Sequence, residues 1–239
     1  MNSHISIVLA ARSHSTIEKN EVEFAGFLSK FTENRVLIEE IADRLSNSDQ
    51  TIIISQSSLA VKLPVISNLK NTRFKFLTNA TQGALMSLGM ALDEVPSNIP
   101  ILVVPGDALI DVNLEEFVDK MCQEKVQVGL VTFQSNNDLY SYLHIDKNDI
   151  IEVVEKEVKG ELATSGIYFF SDKEVIVECI EWALLNKVKV NNRYYLSTAI
   201  NKVIIDGNRI GIVTIPESCY YRFATKGEAA ASLERMKSK

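Results

Sequence analysis

The sequence predicts an α/β domain in which helices cover both faces of a mostly parallel sheet, giving three α/β/α layers. Short apolar runs without polar alternation recur through the first half, as in strands buried on both faces. Amphipathic stretches separate them, and a β-α-β-α order with right-handed crossovers makes the strands parallel. The totals allow one large core. The chain has 239 residues, is 46% hydrophobic and contains only five prolines and ten glycines, with no low-complexity break.

In order, residues 5–11, 51–55, 73–77 and 101–104 read as buried strands rich in Ile and Val. Between them, Val36, Leu37, Ile41 and Leu45 share one helical face, and Ala84, Leu85, Leu88, Ala91, Leu92 and Val95 share another. A third helix starts at Asn113, whose side chain caps it while Glu116 reaches back. The texture then changes. Residues 126–133, 140–145, 150–154 and 163–169 read as strands with little helix between them, and Lys147-Asn148-Asp149 turns the middle pair. A helix capped by Ser171, with Glu174 three residues on, follows. Another spans about 195–205, 209–215 forms a last strand, and 227–237 a terminal helix. The expected result is a Rossmann-like three-layer fold with a mixed second half and no internal repeat.

Several function classes are disfavoured. The net charge of −6 and the absence of a basic run argue against a nucleic-acid partner. No segment approaches the apolar length of a membrane span, and the N-terminal apolar stretch is too short for a signal peptide. Cys122, Cys179 and Cys219 are isolated, which suits a reducing compartment, so a cytoplasmic location is expected. His4, His14 and His144 show no metal-ligand spacing.

Ligands in open α/β sheets sit beyond the carboxyl ends of the strands. That rule selects the residues after Ala11, those around Ser55, and Pro105-Gly106-Asp107. Asp107 follows an apolar strand and a glycine turn, a position suited either to holding Mg²⁺ or to capping a turn. Gln82-Gly83 opens a helix, where backbone N–H groups favour anions or polar base edges; an ordinary helix start is the alternative. Glu155-Lys156 ends a strand and offers a carboxylate for sugar hydroxyls and a cation for phosphate, or merely part of a solvated charge run. Gly166 inside a strand marks either the close approach of a ligand or backbone, or a bulge. Trp182 and the aromatics of Tyr168, Phe169 and Phe170 read as core.

In order, residues 5–11, 81–84, 101–111, Ser141-Tyr142, Glu155-Lys156, 163–170, 191–195 and Ala224-Thr225 resemble the sugar-phosphate nucleotidyltransferases of the GT-A-like superfamily. The likeness is greatest to the branch associated with capsule and surface-polysaccharide biosynthesis, and it runs through nearly the whole chain. It implies a single nucleotidyltransferase-like domain over 1–239, with a nucleotide-binding half (1–125) and a sugar-phosphate half (126–239). It implies attack of a sugar 1-phosphate on the α-phosphorus of a nucleoside triphosphate, with Mg²⁺ as cofactor. Carried over, Ala10, Ala11 and Arg12 line the nucleotide, Gln82 and Gly83 contact the base, and Asp107 binds the metal. Glu155, Lys156 and Gly166 line the sugar-phosphate side.

One stretch departs from the pattern. The family follows its first strand with a Gly-rich loop ending in Arg and then a Pro-Lys pair, whereas this chain has Arg12-Ser13-His14-Ser15-Thr16 and no glycine until Gly26. Ser29-Lys30 best matches the Pro-Lys pair, which gives Lys30 the catalytic cation role, with Arg12, His14 and Lys19 as further substitutes. Arg222 stands near the second metal-binding Asp of some relatives. Two other readings remain open: a non-catalytic nucleotide-binding homologue, and a GT-A glycosyltransferase, although Asp107 and Asp111 lack Asp-x-Asp spacing. The sequence also leaves a homo-oligomer open.

Overall fold

The structure is a computed structural model that describes residues 2–11, 26–62 and 69–238, with only the backbone of 61 and 62. Its centre is a nine-stranded sheet, predominantly parallel on one side and mixed on the other, as the sequence predicts. β1 (Ile5–Ala10) lies between β2 (Gln50–Gln56) and β4 (Ile101–Pro105), parallel to both; β3 (Thr72–Leu77) extends the parallel side beyond β2. On the other side β9 (Leu162–Phe170) runs antiparallel between β4 and β6 (Val128–Gln134), and β10 (Ile210–Ile215) closes that edge parallel to β6. β7 (Ser141–Asp146) and β8 (Asp149–Glu155) form a hairpin joined to β9 through Tyr142 and Ala163.

The uninterrupted Ile run of β2 shows why no polar alternation occurs in the central strands. Successive side chains point to opposite faces, and both faces are covered: Ile52, Ile53 and Ile54 are all fully buried. Ile53 joins Val8, Leu102 and Val104 in one core with α1 (Leu37–Arg44) and α3 (Leu114–Glu124). Ile52 and Ile54 join Ile7 and Val103 in the opposite core with α2 (Ala84–Gly89), α4 (Lys173–Leu185), α5 (Leu196–Ala199) and α6 (Asn201–Ile205). Asn113 caps α3 as expected, accepting from the Glu116 N–H at 3.2 Å. Tyr168, Phe169 and Phe170 are core, and Trp182 packs against it half-buried.

Four expectations change. Residues 73–77 are not a doubly buried strand: β3 is a sheet edge with partly exposed residues, and its Lys75 pairs with Asp93 and Glu94. Charge on an edge blocks further strand addition. α4 is capped by Asp172, which accepts from the Val175 N–H at 3.1 Å, while Ser171 donates its hydroxyl to Asp172. The helix expected over 84–95 ends at Gly89 and resumes as a 3-10 turn over Leu92–Glu94, and the one expected over 195–205 breaks at Ile200 into α5 and α6. A short antiparallel ribbon, β5 (Ala108–Ile110) with β11 (Tyr220–Arg222), was not anticipated. α7 (Lys226–Lys237) ends the described fold, and among the described residues no helix is long and apolar enough to cross a membrane.

Candidate functional site

The carboxyl ends of β1 and β4 meet closely. The Gly106 N–H donates to the Leu9 carbonyl at 3.0 Å, and a Cβ on Gly106 would lie 2.9 Å from that of Ala10. Main chain is therefore packed on main chain, and the following Asp107 is carried half-buried past the end of the sheet. The β5–β11 ribbon fixes it there: the Phe223 N–H donates to the Asp107 carbonyl at 2.8 Å, and Ala108 pairs with Arg222. Gly26 closes over this point, since a Cβ on it would lie 3.0 Å from the Asp107 Cβ. Arg222 forms an ion pair with Glu228 at 2.8 Å, with its guanidinium 5.8 Å from the Tyr140 ring centroid.

Gly166 lies on the neighbouring strand β9 at φ +87°, where β6 and β9 shift register between Leu130 and Thr132. Gly166 sits at this register irregularity, and a Cβ there would lie 3.3 Å from the Pro105 side chain. The glycine therefore lets β9 pass close to Pro105, the residue two before Asp107.

A second cluster forms around Glu155 and Lys156. Glu155 Oε2 accepts hydrogen bonds from Ser141 on β7 and, at 2.6 Å, from Ser197 on α5. The buried Tyr168 hydroxyl is held well above its ordinary pKa, first by burial and then by the Glu155 charge, so it stays protonated. Lys156 takes the left-handed conformation (φ 59°), which turns its side chain out of the β8 register. Its ammonium lies 3.2 Å from the Tyr195 hydroxyl and 5.3 Å from that ring centroid. Glu155 is therefore anchored by two hydroxyls rather than lying in a loose charge run.

Gln82 and Gly83 join this cluster through the backbone. Tyr194 donates its N–H to the Gln82 carbonyl at 2.7 Å, and its carbonyl accepts from Leu85 at 3.3 Å. Gly83 stands at φ +120°, and a Cβ there would fall 2.2 Å from the Tyr194 carbonyl oxygen, so no side chain fits. α2 has only six residues, so the anion-favouring dipole expected at its start is small; the fixed loop is the stronger feature.

The remaining candidates separate. Lys30 is exposed at a bridge with Val36, and among the described residues no hydrogen bond or ion pair draws it to Asp107. Asp107 and Asp111 lie at opposite ends of β5 rather than forming one ligand pair. Arg12, His14 and Lys19 lie outside the described residues. Among the described residues no group of three or more His, Cys, Asp or Glu is placed to hold a metal. A single hard carboxylate at Asp107 still fits Mg²⁺, which commonly takes one or two protein carboxylates and completes its shell with water and substrate phosphates. Ser141, Tyr195, Ser197 and Lys189 are the neighbours that local motifs did not mark for a role.

The chain matches the nucleotidyl transferase family over residues 31–206, most of its length, and belongs to that family. No curated protein matches it by sequence. The fold is shared with the nucleoside-diphosphate-sugar pyrophosphorylase of Vibrio cholerae (TM-score 0.77, 18% identity, 96% of this chain and 99% of that one). It is shared equally with a putative glucose-1-phosphate thymidylyltransferase from Bacillus anthracis (0.76, 16% identity, 99% and 94%). The inositol-1-phosphate CTP transferase of T. maritima is a third match (0.74, 11% identity, 99% and 96%).

Proposed function

We propose that this protein is a Mg²⁺-dependent sugar-1-phosphate nucleotidyltransferase that supplies a nucleotide sugar for surface-polysaccharide assembly. The observation that carries this reading is the placement of Asp107 at the joined ends of β1 and β4 in a chain of the nucleotidyl transferase family. The names of the fold neighbours, which couple nucleotides to sugar or inositol phosphates, support the substrate class. In the reaction, an oxygen of the sugar phosphate attacks the α-phosphorus, one P–O bond forms, and the bond to pyrophosphate breaks.

The chain's residues serve this chemistry by position and charge. Ala10 and Ala11 offer small side chains and backbone to the nucleotide, and Gln82 and Gly83 meet the base. Glu155, oriented by Ser141 and Ser197, accepts from sugar hydroxyls, and Lys156 meets the sugar phosphate from its seat on Tyr195. Asp107 holds Mg²⁺, which when bound neutralises charge building on the phosphates. Lys30 and the residues after β1 provide further cationic contacts.

The test is pyrophosphate release with Mg²⁺ across UTP, dTTP, CTP, GTP and ATP and a set of sugar 1-phosphates. At least one pair should turn over, and Asp107→Ala should slow it about 100-fold or more, in line with loss of a transition-state charge contact. One observation favours a second reading, a nucleotide-binding homologue without catalysis: the family match begins at Phe31, after the glycine-free stretch Arg12 to Thr16. That reading predicts nucleotide-dependent thermal stabilisation with no pyrophosphate from any pair.

A further inference from the structure

Lys189 holds the side-chain amide of Gln82, the residue proposed to meet the nucleobase. Val190 and Arg193 exchange both backbone hydrogen bonds at 3.0 Å around Asn191 and Asn192, whose φ values are 49° and 59°. That is a tight two-residue turn with both central residues left-handed, a geometry Asn tolerates. The arm leaving the turn is pinned to the Gln82 loop through Tyr194. The arm entering it carries Lys189, whose ammonium lies 4.7 Å from the Tyr194 ring centroid and donates to Gln82 Oε1 at 3.1 Å. Gln82 and Lys189 are both exposed, open to a ligand.

An ammonium has donors and no acceptor, so it meets only the oxygen end of a carboxamide. The orientation of the Gln82 amide therefore follows from the chemistry of the pair. With Oε1 engaged, the amide presents its NH₂, and the neighbouring positive charge adds further donor character. We propose that Lys189 orients Gln82 to select keto nucleobases (uracil or thymine through O4, guanine through O6) over cytosine and adenine. In those two bases the corresponding exocyclic group is an amino donor, and donor facing donor leaves both unpaired beside a repelling cation. This rests on the proposed contact of Gln82 with the base and deepens it by naming the nucleotide class.

The experiment is calorimetric titration of the full chain with UTP, CTP, GTP and ATP in Mg²⁺, repeated on Lys189→Met and Gln82→Glu, with circular dichroism confirming each fold. Within the pyrimidine or purine pair that the pocket admits, the keto nucleotide binds at least about tenfold tighter, the scale of one good base contact. Lys189→Met brings that ratio to about twofold or less, and Gln82→Glu, an acceptor-only side chain, inverts it. Equal or tighter binding of CTP or ATP, or an unchanged ratio in Lys189→Met, overturns the selectivity mechanism and leaves nucleotidyl transfer standing. Folded wild-type protein that binds none of the four overturns the nucleotidyltransferase reading itself, and the selectivity with it.

Discussion

Glu155 is held from two elements at once, and that makes its role measurable separately from its charge. Ser197→Ala removes one of the two hydroxyls on Oε2 and leaves Ser141 in place. The expected result is a several-fold rise in KM for the sugar phosphate with little change in KM for the nucleotide, and a stability loss of about 1 kcal/mol. Steady-state kinetics in each substrate separates the two effects. The position of Asp107 was legible in the sequence because an apolar run followed by Pro105-Gly106 marks the carboxyl end of a buried strand. The anchoring of Glu155 was not: Ser141 belongs to a resembling motif, but that it and Ser197, 14 and 42 positions away, bond Glu155 has no local signal. Lys30 rests on motif matching alone: it is exposed at a bridge with Val36, and its cationic role stays a proposal.

At the scale of elements, the loop leading into α2 depends on Gly83. Gly83→Ala places a methyl group against the Tyr194 carbonyl at a φ of +120°, so denaturant unfolding should show a loss of about 2–4 kcal/mol. Nucleotide affinity should fall with it, because Gln82 shares the same backbone clamp. The start of α4 gives a finer test. Asp172→Ala should cost about 1 kcal/mol and Ser171→Ala clearly less, since only Asp172 caps the helix N–H. Adjacent Ser and Asp are both good capping residues, which is why the sequence placed the cap one position early. The buried strands were readable from their unbroken apolar runs and the amphipathic helices from their period. The three-residue strands β5 and β11 were not, because so short a ribbon has no period to detect and exists only through pairing distant in sequence.

For the whole molecule, a core on each face of the sheet predicts a weakness at high pH. Burial pushes the Cys179 thiol up to about 12 and raises the Tyr168 and Tyr220 hydroxyls. In the unfolded chain these groups release protons from about pH 8.5 for Cys and 10 for Tyr. Above those values the unfolded state binds fewer protons than the folded state, so stability falls as pH rises. Each such group contributes a slope of about 1.4 kcal/mol per pH unit in that window. Thermal melts from pH 7 to 11 should show the decline beginning near pH 9, and Cys179→Ala should lessen its first part, to which the raised Cys122 thiol also contributes. The doubly covered sheet was the most legible feature of all, since Ile52-Ile53-Ile54 allows little else.

The central claim is nucleotidyl transfer centred on Asp107, and ³¹P NMR of a complete reaction tests it most directly. With Mg²⁺, a nucleoside triphosphate and the matching sugar 1-phosphate, the spectrum should show pyrophosphate and a nucleotide-sugar diphosphate appearing in equal amounts. Asp107→Asn should hold both signals near background. Folded, nucleotide-binding wild-type protein that leaves the triphosphate intact with every sugar phosphate offered would contradict the account.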